Sequence, residues 1–146
     1  MLARIRRQRV QTSWRQGSSK WRRPPTRAAC DECDVKLLVA NAPGAILNIA
    51  SVLSWLHPAS AGAYCAAKAA LWAQTDSVRE ELASHGVSVT ALHVGYMDTD
   101  MISDLSVAKN DPGLIAAVAL DGVATAAREV LADDLTRQIR ASLGRD

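Results

Sequence analysis

The stretch GAILNIASVLSWLHPASAGAYCAAKAALWAQ, residues 44–74, decides the fold. It opens as an apolar run that ends at Ser51, which reads as a buried strand over 45–50. From near Ser60 it turns Ala-rich, which predicts a helix over 60–84. On that helix Tyr64 and Lys68 stand one turn apart on one face, as i and i+4 neighbours. An ammonium beside a phenol favours the phenolate, which suits Tyr64 to proton transfer near neutral pH. Ser51 lies thirteen residues before Tyr64, at the carboxyl end of the strand.

A Tyr-x-x-x-Lys pair alone usually marks nothing more than a helix surface. Here a second stretch follows, GVSVTALHVGYMDTDM, residues 86–101, which reads as a strand over 87–93 and then a loop carrying Gly95 and Thr99. The offset from Ser51 to Tyr64 and Lys68, with the second strand and its loop, resembles the short-chain dehydrogenase/reductases. The likeness runs from about Gly44 to Met101 and weakens beyond. It implies a Rossmann-like fold and an NAD- or NADP-dependent interconversion of a secondary alcohol and a carbonyl in a small-molecule substrate. By the same resemblance Ser51 holds the substrate oxygen, and Tyr64 exchanges the proton. Lys68 tunes Tyr64 and contacts the nicotinamide ribose, and Gly95 and Thr99 seat the nicotinamide. Catalytic residues are thus Ser51, Tyr64 and Lys68, and cofactor-binding residues are Tyr64, Lys68, Gly95 and Thr99.

Several family features are missing. The nicotinamide loop has Val94 where the family has proline, which frees φ there and restores an amide donor. The Gly-rich turn that holds the dinucleotide pyrophosphate has no counterpart, since the only glycines before residue 60 are Gly17 and Gly44. The residue that selects NAD or NADP is absent too, as is the asparagine of the family's proton relay. The expectation is a partial domain, the second half of a doubly wound parallel sheet in three layers. As an isolated chain it is expected to show little or no activity. An alternative is a non-catalytic remnant that acts by pairing with a full-length relative.

The junction VKLLVANAPGAILNIAS leaves two readings. Leu37 to Ala42 resembles a family strand, with Asn41 at one of its asparagines, yet NAPG is far too short to cross between parallel neighbours. The segment is either an antiparallel or displaced strand, or the end of a helix. Beyond residue 93 the sequence reads as a mobile helical lid over 98–108, a helix over 111–128, a short strand over 129–132 and a terminal helix over 134–143. Asp111-Pro112 looks like a helix start, His85-Gly86 like a helix stop, and Asp133-Asp134 like a cap of the last helix.

Charge divides the chain near residue 30. Residues 1–30 hold nine Arg and Lys and no acid, whereas residues 31–146 hold eight basic and fifteen acidic residues. The arm, residues 1–30, reads as a disordered tail, with a transit peptide or a nucleic-acid contact as the other possibilities. Its abrupt composition points to a segment rewritten by a shifted reading frame or altered start. Cys30 and Cys33 form a C-x-x-C pair without further ligands at zinc spacing, and His57, His85 and His93 are scattered, so no metal is assigned. No apolar run approaches the roughly 20 residues needed to span a bilayer. A cytoplasmic protein and an oligomer, formed with itself or with a full-length relative, are expected.

Overall fold

Two runs rich in Val, Ile and Leu form the two longest strands of the sheet. In the computed structural model, which describes residues 32–144, β1 spans Gly44–Ile49 and β2 spans Val87–His93. They pair in parallel from Gly44↔Val87 to Ile49↔Leu92. A short β3, Glu129–Leu131, joins the far side of β2, again in parallel, giving the order β1-β2-β3. Parallel neighbours need helical crossovers. Here α2, Gly62–Leu82, links β1 to β2, and α3, Pro112–Ala124, links β2 to β3. Before the sheet lies α1, Glu32–Ala40, and after it α4, Asp134–Ser142. This is a partial Rossmann-like fold with one continuous run of parallel strands.

The faces of the sheet bury different helices. On one, Ile46, Val87 and Val89 meet Val78 and Leu82 of α2 and Val35, Leu38 and Val39 of α1. On the other, Leu92, Val94 and Val130 pack against Ile115 and Ala119 of α3. α3 approaches β3 closely because residue 122 is glycine. A Cβ there would stand 2.2 Å from Cγ2 of Val130.

Most expected elements are found within a residue or two, and the exceptions have physical causes. Leu37 to Ala42 is not a strand: α1 ends at Ala40, and the Asn41 side chain donates to the Leu37 carbonyl at 2.8 Å. Asn41 thus closes a helix end. The expected lid helix over 98–108 is a loop with one short 3-10 turn, Asp100–Ile102. Its base is tied by Asp98 N–H to the Asn110 carbonyl and by Asn110 N–H to the Tyr96 carbonyl. The helix expected over 111–128 stops at Ala124. Ala126 takes φ 51°, and the amides of Ala126 and Ala127 bond back to the carbonyls of Val123 and Gly122. That is a Schellman ending with alanine in the place glycine usually holds. The expected caps are present, with Asp111 accepting from Leu114 N–H, Asp133 from Thr136 N–H, and Gly86 at φ 69° after the turn that ends α2. The basic arm and the thiols of Cys30 and Cys33 lie outside the described residues and side chains.

Candidate active site

Because all three strands run the same way, their carboxyl ends open on one side, where open α/β sheets bind ligands. The loop after β1 is held there at both ends. Ala50 N–H donates to the Leu92 carbonyl at 2.8 Å and Val52 N–H to the Val94 carbonyl at 3.0 Å, which carries the ladder past the strand. Ser51, between them, is buried in extended backbone, and its Oγ accepts from Leu53 N–H at 3.1 Å to start the 3-10 turn Val52–Ser54. Ser54 Oγ then donates to the Lys68 carbonyl at 3.1 Å, so the loop is fastened to α2.

Tyr64 and Lys68 project from the first turns of α2. Tyr64 is 42% exposed, leaving its ring open to a ligand. The Lys68 ammonium lies 5.6 Å from the centre of the Tyr64 ring and donates to the Ile49 carbonyl at 2.8 Å. Burial of the Lys68 stem holds its ammonium below the usual lysine range. Lysine and tyrosine therefore meet as expected, with the ammonium aimed at the end of β1.

Gly95 and Thr99 lie on the loop after β2. Gly95 N–H donates to Asp133 Oδ2 at 2.6 Å. A Cβ on residue 95 would come within 3.1 Å of both Asp133 Oδ2 and Leu135 Cδ2, so the chain's own packing already requires glycine here. Thr99 Oγ1 donates to the Met97 carbonyl at 3.3 Å, in the loop closed by Asn110. The Asn110 side chain donates to both Asp133 Oδ2 and the Tyr96 carbonyl. Burial alone would raise the Asp133 carboxyl, but hydrogen bonds from Thr136, Gly95 and Asn110 outweigh it and hold the group below its usual range.

A second cluster supports Ser51 from below. His93, completely buried at the end of β2, approaches the Ser51 carbonyl at 3.2 Å through Nδ1. That contact requires a proton on Nδ1, since a carbonyl only accepts. The ring stacks on Trp55 with centres 4.0 Å apart, and Trp72 meets Trp55 edge-on at 5.7 Å. Arg140 of α4 lies 5.2 Å from the Trp55 ring and bonds Glu129, which also accepts from Trp72 Nε1. Burial lowers the His93 pKa despite the Ser51 contact and Glu129. Sequence reasoning gave His93 only a strand role and Asp133 only a cap. Their long-range partners, Ser51, Gly95 and Asn110, leave no local signature. An open groove lies elsewhere, at the amino ends of the strands beside Gly44, Val87 and Ala126.

The profile of the short chain dehydrogenases matches residues 28–110, more than half of the chain. This chain belongs to the short-chain dehydrogenase/reductase family. All five expected site residues, Ser51 through Thr99, fall inside the matched region, whereas Asp133 and Arg140 fall outside it. Over 77 residues the chain is 38% identical to a 3-oxoacyl-(acyl-carrier-protein) reductase of Synechocystis sp., covering 53% of this chain and 31% of that protein. Over 63 residues it is 40% identical to Protein FixR of Bradyrhizobium diazoefficiens, covering 42% of this chain and 23% of that one. The structure of a short chain dehydrogenase from Burkholderia cenocepacia J2315 in complex with NADP matches with a TM-score of 0.73 at 29% identity, over 77% of this chain and 47% of that one. The chain spans about a third of the length of the curated short-chain dehydrogenase/reductases it matches.

Proposed function

We propose that this chain carries the proton-transfer and nicotinamide-facing part of an NAD(P)-dependent oxidoreductase that interconverts a secondary alcohol and a carbonyl. The observation that carries the reading is the Lys68 ammonium, which lies beside the Tyr64 ring and bonds the Ile49 carbonyl two residues before Ser51. In reduction Tyr64 Oη gives its proton to the carbonyl oxygen, and in oxidation it takes the proton back. Ser51 Oγ already accepts from Leu53 N–H, so its own O–H is left to donate to that same oxygen. Lys68 spends one of its three N–H donors on the Ile49 carbonyl and keeps two for Tyr64 and a ribose hydroxyl.

The donor set fits a nicotinamide dinucleotide at one end only. Lys68 Nζ and Thr99 Oγ1 suit the ribose and carboxamide, and the loop at Gly95 lies alongside, but the sequence holds no Gly-rich turn for the pyrophosphate. When bound, the nicotinamide supplies or accepts the hydride. The protein's share is orientation, proton transfer and exclusion of water. A relative named as a 3-oxoacyl-(acyl-carrier-protein) reductase makes a carbonyl compound the expected substrate class. No described helix is long and apolar enough to cross a membrane, and we place the protein in the cytoplasm.

The test is a titration of the folded, isotopically labelled chain with NADPH and then NADH, read by amide chemical shifts. We expect weak binding that moves the amides around Lys68, Gly95 and Thr99, is lost in Tyr64→Phe/Lys68→Ala, and is accompanied by turnover that is absent or very slow. Shifts confined to other surfaces, or none at any cofactor concentration, would refute the reading. A second reading is a remnant that pairs with a full-length relative. Its motivating observation is the exposed small-residue face of α2, Ala63, Ala66, Ala67, Ala70 and Ala73. It requires a complex with a purified full-length relative that Ala70→Glu abolishes.

A further inference from the structure

A completely buried imidazole costs desolvation wherever it fills the face of a sheet. Side chains alternate along β2, so His93 shares with Val87 and Val89 the face that packs on α2. It lies between two indoles, Trp55 stacked at 4.0 Å and Trp72 edge-on at 6.4 Å, where an aliphatic side chain would pack with no polar atom to satisfy. What the imidazole adds is one contact, Nδ1 at 3.2 Å from the Ser51 carbonyl. Among the described residues Nε2 bonds nothing, so the single proton of the neutral ring is used at that contact. The next residue holds the N–H of the same peptide unit, since the Val94 carbonyl accepts from Val52 N–H at 3.0 Å. Residues 93 and 94 therefore anchor both the C=O and the N–H of the Ser51–Val52 peptide.

We propose that His93 is a positioning residue for Ser51, donating from Nδ1 so that the seryl hydroxyl is held toward the substrate oxygen. The inference rests on the reading above, in which Ser51 O–H donates to that oxygen. One torsion separates Oγ from the backbone, so its direction is set by that torsion and by the tilt of the peptide beside it. The bond from Leu53 N–H to Oγ, at 3.1 Å, holds the torsion. His93 and Val94 hold the tilt. With both groups of that peptide bonded, Ser51 keeps its extended ψ of 157°, and the Leu53 amide stays within reach of Oγ. Without the imidazole donor one anchor is gone and a buried carbonyl is left unpaired. Rotation about ψ then restores its bonding and carries Leu53 N–H away from Oγ. His93 thus acts through Ser51 alone.

The test uses the full chain and needs no turnover. Ring nitrogen shifts of His93 at neutral pH should show the Nδ1–H tautomer. The Nε2–H tautomer would overturn the proposal, because Nδ1 would then face the carbonyl with a lone pair. His93→Asn puts an amide donor where Nδ1 stands and should keep the Ser51 carbonyl and Leu53 amide shifts close to those of the wild type. His93→Leu keeps apolar bulk without a donor, and it should move both shifts and speed exchange of Leu53 N–H by roughly fivefold. Equal behaviour of the two variants overturns the proposal, because the ring then acts by packing alone. Should the leucine variant fail to fold, the tautomer and the asparagine variant decide. NADPH separates this inference from the reading it rests on. Lys68, Gly95 and Thr99 are proposed to meet the cofactor and Ser51 is not, so His93→Leu should leave the NADPH-induced shifts in place. Their absence from the wild type refutes the cofactor reading alone, and the anchoring of Ser51 is still decided by the tautomer and the two variants. Shifts present in the wild type and lost in a folded leucine variant overturn the proposal, because His93 then supports the whole site.

Discussion

Two polar clusters at the carboxyl end of the sheet are built in opposite ways. Around Asp133 every acceptor is used: Oδ1 takes the amide and hydroxyl of Thr136, and Oδ2 takes Gly95 N–H and the Asn110 side chain. The cluster joins α4, the loop after β2 and the approach to α3. Around Ser51, Tyr64 and Lys68 the groups touch backbone sparingly, the tyrosine ring is open, and two lysine donors remain. The difference separates structure from chemistry. A carboxylate closed on four donors fixes loops and has nothing to offer a ligand, while half-satisfied donors beside an open ring are available to one.

The sharpest way to break this contrast is to remove the closed carboxylate. Asp133→Ala strands the Gly95 and Thr136 amides and the Asn110 side chain and removes a helix cap, which should cost about 3 kcal/mol. Urea unfolding measures it. A loss below about 1 kcal/mol would mean the cluster is no more structural than an ordinary surface cap. The intact carboxylate carries its own signature, because its folded pKa lies below the ordinary value of 3.8. Its contribution is complete above that value and is lost as pH falls through and below it.

A smaller effect comes from His93, which belongs to neither cluster but holds up the Ser51 loop. Its folded pKa is pushed below 6.5 chiefly by burial. The sign follows: between the folded and unfolded values the unfolded chain binds the extra proton, so stability is complete above pH 6.5 and falls as pH drops below it. The groups facing the ring divide. Glu129 and Asp76 oppose the shift and Arg140 reinforces it. Melting temperature followed from pH 7.5 downward should begin to fall well before the Asp133 window opens. His93→Gln should flatten that first decline and leave the second. A wild-type profile flat between pH 6.5 and 5 would show that the imidazole is less shielded than its burial implies.

The sequence carried the parts that are local in the chain. Ser51 at a strand end, Tyr64 and Lys68 at helical spacing, Gly86 at a helix stop and Asp111 before Pro112 are each placed by neighbours within a few residues, and each lies on the element expected, though the Lys68 bond to the Ile49 carbonyl leaves no local sign. The parts that depend on distant partners were not legible. Val-Lys-Leu-Leu-Val has a strand's composition, yet forms α1, because Val35, Leu38 and Val39 find a face beside α2 and the short turn forbids a parallel pairing. Asp133 looks like any N-cap until Gly95 and Asn110, 38 and 23 residues earlier, are brought to its second oxygen. The aromatic stack of Trp55, Trp72 and His93 draws on a loop, a helix and a strand, and no periodicity links them.

The least stability should be lost where the chemistry is proposed to lie. Lys68→Met keeps the apolar stem that packs on α2 and removes only the ammonium and its bond to the Ile49 carbonyl. That carbonyl lies at an open strand edge, where water can replace the lost donor, so unfolding free energy should change by no more than about 0.5 kcal/mol. The same substitution should erase the NADPH-induced shifts around Gly95 and Thr99, because it removes the ammonium that bonds the Ile49 carbonyl at the end of β1. Stability held with binding lost places Lys68 in the open cluster. A loss as large as that of Asp133→Ala would instead make the ammonium a structural cap of β1, and the contrast between the two clusters would collapse into one continuous scaffold.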